Sequence, residues 1–232
     1  MKKILSFLIS TAVFVLICIC IIIGVNGYIM YDRVINKKPI ETAVFEIQSN
    51  PNYVLSKNIN PEFLNAIQAI EDKRFFKHGA LDPISTVRAF FTNILSLRYV
   101  AGGSTITQQL AKNMYFSREK KLSRKVAELF VAEKIEKQYT KDEILELYVN
   151  IIYYGDNNYG IKSASENYFG KTPADLDLNE ASLLAGLPKA PSYYALSKNY
   201  PGAKERQSEV LKAMVELNYI TEEDMKTVME MR

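Results

Sequence analysis

A chain of 232 residues with 48% hydrophobic side chains is long enough for one sizeable core and a smaller second lobe. Its net charge is +3, and setting aside Lys2 and Lys3 leaves 27 basic against 26 acidic side chains; broad attraction to nucleic acid is excluded, and anion binding must come from local clusters. Cys18 and Cys20 both lie in an apolar run, and with the single His78 they can neither staple a folded domain nor build a Cys/His metal centre.

From Ile4 to about Met30 the chain is apolar and uncharged. At about 1.5 Å per residue this exceeds the roughly 30 Å of bilayer hydrocarbon, which predicts a retained transmembrane helix over 4–30. A cleaved signal peptide would carry an apolar region of about 7–15 residues and a small-residue cleavage site, and the sequence fits neither. Lys2 and Lys3 favour a cytoplasmic tail at 1–3 with the folded part outside, against a weaker pull from Arg33, Lys37 and Lys38. Residues 31–50 read as a linker with some extended structure, because Thr42-Ala43-Val44-Phe45-Glu46-Ile47 is rich in β-branched and aromatic residues. After Pro51 the pattern is helical to residue 232, without repeats or sustained strand alternation, so the fold class is mainly α.

Asn60-Pro61 is an N-cap followed by proline at the first helical position. Leu64, Ile67 and Glu71 follow at i, i+3 and i+7, so Glu71 extends an apolar stripe. A carboxylate among apolar neighbours is disfavoured as an anion, which suits proton transfer near neutral pH; a stripe-end glutamate with its head in water fits the same position. The stretch Ile84 to Val100 mixes Val87, Phe90, Phe91, Ile94, Leu95 and Leu97 with Arg88 and Arg98, and suits either an interfacial patch or the core of a small lobe.

Gly102-Gly103 then leads into Ser104-Thr105-Ile106-Thr107-Gln108-Gln109-Leu110-Ala111-Lys112-Asn113. Two glycines permit close backbone approach, and a hydroxyl cap at Ser104 or Thr105 would aim the first-turn N–H groups at an anion. Thr105, Gln109 and Lys112 share one helical face, so the stretch reads as a cradle for a phosphate-bearing substrate. A capped core helix with a polar outer face fits the same residues. The G-x-x-x-x-G-K-[ST] spacing of a Walker loop is missing. Arg124 and Glu128 form an i,i+4 pair, Thr140 with Glu143 and Asp177 with Glu180 read as capping boxes, and Pro201 and Thr221 start two scaffold helices. Glu146 and Asn150, also i,i+4, read as structural.

Four of these segments occur in an order that resembles the peptidoglycan glycosyltransferases, lysozyme-like enzymes that polymerise lipid II. They match E-D-x-x-F-x-x-H-x-G-x-D from Glu71 to Asp82 at all but the glycine, G-G-S-T-I-T-Q-Q-L-x-K-N from Gly102 to Asn113, R-K-x-x-E from Arg124 to Glu128, and I-L-E-x-Y-x-N from Ile144 to Asn150. The resemblance spans about residues 55 to 220. It implies a two-lobed fold with a large head and a small membrane-proximal jaw, whose R…N pattern Arg88 and Asn93 fit. It implies that Glu71 deprotonates the 4-hydroxyl of an incoming GlcNAc, which attacks C1 of the terminal MurNAc with inversion as undecaprenyl pyrophosphate leaves. Glu128 is then the second active-site carboxylate, stabilising positive charge at the sugar or orienting the donor. Asp72, Phe75, His78, Ser104, Thr105, Gln109, Lys112, Asn113, Arg124 and Lys125 become substrate-binding residues, with Arg124 and Lys125 suited to a pyrophosphate. One departure stands out: Ala80 occupies the family's glycine position, with Gly79 one place earlier.

The partners implied are lipid II, the growing glycan strand, membrane lipid and wall-synthesis proteins. No metal-ligand constellation is visible and no cofactor is expected, with Mg2+ or Mn2+ left open. Ser117-x-x-Lys120 matches a penicillin-binding nucleophile motif, but no S-D-N or K-T-G follows, so a monofunctional, membrane-anchored enzyme over 51–232 is expected. The rival readings are a lysozyme-like glycan-cleaving enzyme and a non-catalytic membrane-anchored scaffold.

Overall fold

The computed structural model describes residues 2–96, 102–116 and 121–231. Helix α1 (Lys2–Lys37) is continuous, with exposed apolar side chains along Ile4 to Ile22, and continues beyond the predicted span. Helix α2 (Ile40–Gln48) follows after a two-residue break. The expectation of extended structure at residues 42–47 is therefore corrected. Ile40, Ala43 and Val44 are buried at i, i+3 and i+4, and this packing overrides local β-propensity.

The C-terminal half of α1 lies along α6 (Leu122–Gln138). Gly27 makes the approach possible, since a Cβ there would come 2.6 Å from the Val126 Cβ. Tyr28 meets Phe130 edge-on at 5.6 Å, and Tyr31 packs on the same ring at 5.6 Å. Pairs of this kind contribute about 0.5–1.5 kcal/mol beyond the area they bury.

The core gathers α3 (Pro61–Glu71), α5 (Ile106–Tyr115), α7 (Lys141–Ile151), α9 (Leu178–Gly186) and α11 (Tyr200–Glu216) around Phe63, Ile67, Leu110, Ile135, Tyr148 and Leu184. Helices α8 (Ile161–Phe169), α10 (Pro191–Tyr194) and α12 (Glu222–Glu230) complete the head, and no strand occurs among the described residues. The starts expected from the sequence are present. Asn60 caps α3 by accepting from the Glu62 N–H, and capping boxes open α7, α9 and α12 at Thr140, Asp177 and Thr221. Glu146 and Asn150 are structural: Tyr53 donates its hydroxyl to Glu146 at 2.5 Å, and the Val54 N–H donates to Asn150 Oδ1 at 2.8 Å. Both bonds tie the segment before α3 to α7.

Helix α4 (Pro83–Ser96) settles one open alternative. Ile84, Val87, Phe91, Ile94 and Leu95 are exposed and Ala89 is buried, so this apolar surface is an outward patch rather than a lobe core. Leu97, Arg98, the Asn93 side chain and the Ser117-x-x-Lys120 match lie outside the described residues. The loop before α4 accepts Ala80 because the backbone there is not left-handed: the non-glycine residues with positive φ among the described residues are Asp156, Asn157 and Asn218. Ala80 is buried, and its carbonyl accepts the Thr105 hydroxyl at 2.8 Å.

Candidate active site

Glu71 is the last residue of α3, and its carboxylate opens onto a cavity of about 450 Å³ between α3, the start of α5, α6 and α11. Gln109 on α5 donates its amide to Glu71 Oε2 at 2.7 Å. The amide is itself oriented, because the buried Tyr148 hydroxyl donates to Gln109 Oε1 at 3.1 Å. Burial and the nearby Glu71 both raise the Tyr148 phenol well above its ordinary value, which keeps it protonated as the donor. On the other side of Glu71, Arg206 brings Nη2 to 4.0 Å from Oε1. The guanidinium stem fills space left by Gly186, where a Cβ would come 2.9 Å from Arg206 Cγ.

The cations form a second group. Lys112, Lys125 and Ser104 line the same cavity as Glu71, and Lys112 is shared with an adjoining cavity of about 600 Å³ that Asn113, Arg124, Tyr153 and Tyr193 also line. Lys125 donates to Ser104 Oγ at 2.8 Å and to Glu128 Oε2 at 2.9 Å. Arg124 pairs with the other oxygen of Glu128. Burial, together with Arg124 and Lys112, lowers the Lys125 ammonium to about 8. Crowding three like charges in this way is relieved when an anion binds among them.

Several expected substrate contacts take other positions. Glu128 is fully buried beneath Arg124 and Lys125 and lines neither cavity, so it does not face Glu71 across the groove; it anchors the two cations. The polar face of α5 is divided as well, since Thr105 is buried while Gln109 and Lys112 reach the cleft. Thr105 is the N-cap of α5 in a box with Gln108, and its hydroxyl donates to Ala80. The first-turn N–H groups do not all point at a ligand either: Ile106 N–H donates to Asp72 Oδ2 at 3.1 Å, so the anion at this helix start is the protein's own carboxylate. Gly103 serves close packing on α4, where a Cβ would lie 3.2 Å from the Thr86 Cα.

Asp72, Phe75 and His78 are likewise buried supports. His78 Nε2 bonds Asp72 Oδ1 at 2.8 Å, and Phe75 lies in the core. Burial raises the Asp72 carboxyl despite its bonds from His78 and Ile106. Asp72, His78 and Asp82 place their ligand-capable atoms within 4.8 Å of one another. The two aspartates already accept from the Ile106, Ile84 and Ser85 N–H groups, and Asp82 also pairs with Arg74 at 3.2 Å, so the set fits a hydrogen-bonded lock on the loop before α4.

Sequence reasoning missed Arg206 and Lys189, both of which line the cavity. A signal for Arg206 existed: it stands on the buried face of α11 with Ala203, Val210 and Met214, where a cation calls for a partner.

The transglycosylase family pattern matches residues 36–215. A transglycosylase-family protein of Cupriavidus necator is 45% identical over 183 residues, which are 79% of each chain. Penicillin-binding protein 1A of Aquifex aeolicus is 47% identical over 171 residues, covering 74% of this chain and 24% of that one. The Escherichia coli protein of the same name is 46% identical over 165 residues, covering 71% and 19%. The chain thus spans a quarter or less of these two longer relatives. The matched residues run from the last turn of α1 through α11 and take in Glu71, Gln109, the cation group and Arg206, and on that extent of agreement the chain belongs to the transglycosylase family.

Proposed function

We propose that the chain polymerises lipid II into peptidoglycan strands by inverting glycosyl transfer. The observation that carries this reading is one cleft with Glu71 at one end and Lys112, Arg124 and Lys125 along it. Glu71 Oε1 or Oε2 takes the proton of the acceptor 4-hydroxyl. That oxygen bonds to C1 of the donor sugar as the C1–O bond to the pyrophosphate breaks, and the electron pair leaves with the phosphate. Gln109 and Arg206 hold the Glu71 carboxylate in place. Lys112, Arg124 and Lys125 offset charge on the leaving pyrophosphate. A general base contributes about 10²–10⁴-fold, so positioning and electrostatics supply the rest.

Helix α1 would anchor the chain with its N-terminus in the cytoplasm and the head outside, and the apolar face of α4 would rest on the outer leaflet. A glycan hydrolase would share the carboxylate but has no use for three clustered cations. The test is incubation of the full chain, in detergent, separately with lipid II and with finished glycan strands. Polymer from lipid II and no soluble muropeptides is the expected result; muropeptide release from finished strands would replace the proposal with hydrolysis.

A further inference from the structure

Outside the cleft, a groove of about 510 Å³ runs between α1 and the start of α6. Its α1 wall includes Ile22, Asn26, Ile29 and Arg33, spaced i, i+4, i+7 and i+11, so the lining is one helical face. Its other wall includes Lys121 and Leu122. The groove is graded in polarity. Ile22 sits at the end nearer the membrane span, and Arg33 lies about 17 Å farther along the axis at about 1.5 Å per residue.

That gradient matches the position of the bilayer. If the hydrocarbon begins at Ile4, about 20 helical residues carry it to about Ile23, which puts Ile22 at its outer edge and Asn26 among the headgroups. Helical side chains lean toward the N-terminus, here toward the membrane, so Arg33 can reach down to a headgroup while its stem covers apolar surface. The groove is also held in shape, because the neighbouring face of α1 is packed on α6 through Gly27, Tyr28 and Tyr31. Among its lining residues both charged side chains, Arg33 and Lys121, are cationic, and none is acidic.

We propose that this groove is a binding site for an anionic phospholipid of the bilayer, with one acyl chain along Ile22 and the phosphate at the level of Asn26, where Arg33 from above and Lys121 from the facing wall pair with it. The proposal rests on α1 being inserted in the membrane. It has a consequence for the cleft: a lipid seated at Lys121 and Leu122 fixes the end of α6 whose first turn carries Arg124 and Lys125.

The test uses the full chain in phosphatidylcholine nanodiscs containing a trace of photoreactive phosphatidylglycerol or, separately, photoreactive phosphatidylcholine. Phosphatidylglycerol adducts should concentrate on the peptides carrying Ile22 to Arg33 and Lys121 to Ser123. They should fall about fivefold for each charge removed in Arg33→Gln and Lys121→Gln, while phosphatidylcholine adducts stay unchanged. Equal labelling of these peptides by both probes, or undiminished labelling in the double variant, would overturn the site. Displacement of the phosphatidylglycerol adduct by a trace of lipid II would assign the groove to substrate instead. Absence of labelling by either probe along Ile4 to Ile23 would overturn the membrane insertion of α1 and the site with it.

Discussion

Glu71 and Glu128 are both glutamates beside the same cleft, yet their surroundings separate their roles. Glu71 faces the cavity, held by a neutral amide at 2.7 Å and a guanidinium at 4.0 Å. Glu128 is fully buried, with Arg124 on one oxygen and Lys125 on the other. A carboxylate reachable by substrate and steadied by one direct hydrogen bond can accept a proton during a reaction. A carboxylate shut away under two cations is out of reach of substrate and sets where those cations stand. The lesson is that a pair of acids in one motif set need not be a pair of acids in one mechanism.

The contrast breaks most visibly at Glu71. Glu71→Gln should lower lipid II turnover by about 10²–10⁴-fold with an unchanged melting temperature, measured by polymer formation and calorimetry on the same preparation. Glu128→Gln should act on stability first. Removing one partner of a buried ion pair costs about 3–5 kcal/mol, and the low end applies because Lys125 is about half exposed; denaturant unfolding reads the loss. Its KM should rise as Arg124 and Lys125 lose their anchor.

A smaller effect sharpens the cation side. Lys125 titrates at about 8, so its charge is complete below that pH and is lost as pH rises through it. The pH profile of kcat/KM should therefore fall above about pH 8, by up to about tenfold per unit, and Lys125→Arg should carry the alkaline limb to higher pH because guanidinium stays charged. The smallest effect is expected at Asp72, which supports the cleft from behind. Asp72→Asn should cost about 1–3 kcal/mol by weakening the bonds from Ile106 and His78, seen as a lower melting temperature, with the pH profile unmoved.

Much of this was legible in the sequence for identifiable reasons. Caps at Asn60, Thr140, Asp177 and Thr221 are local chemistry, and each opens the helix expected of it. Gln109 and Lys112 could be placed on one face because helical spacing fixes faces, and Glu71 joined them only through the order of the four motifs. What could not be read was the third dimension. Thr105 and Asp72 carry groups suited to a ligand, but they spend them on Ala80 and Ile106, partners 25 and 34 residues away. Arg206 reaches Glu71 from a helix far along the chain, with no local pattern to connect them. Residues 42–47 carry strand-forming side chains and are helical because the buried face of α2 decides.

The central claim is tested most directly by kcat at saturating lipid II for Glu71→Gln and Glu128→Gln side by side. The account predicts that the first falls by about 10²–10⁴-fold while the second, once saturated, stays within about tenfold of the native chain. A native-like kcat for Glu71→Gln, or loss at Glu128→Gln alone, would contradict it.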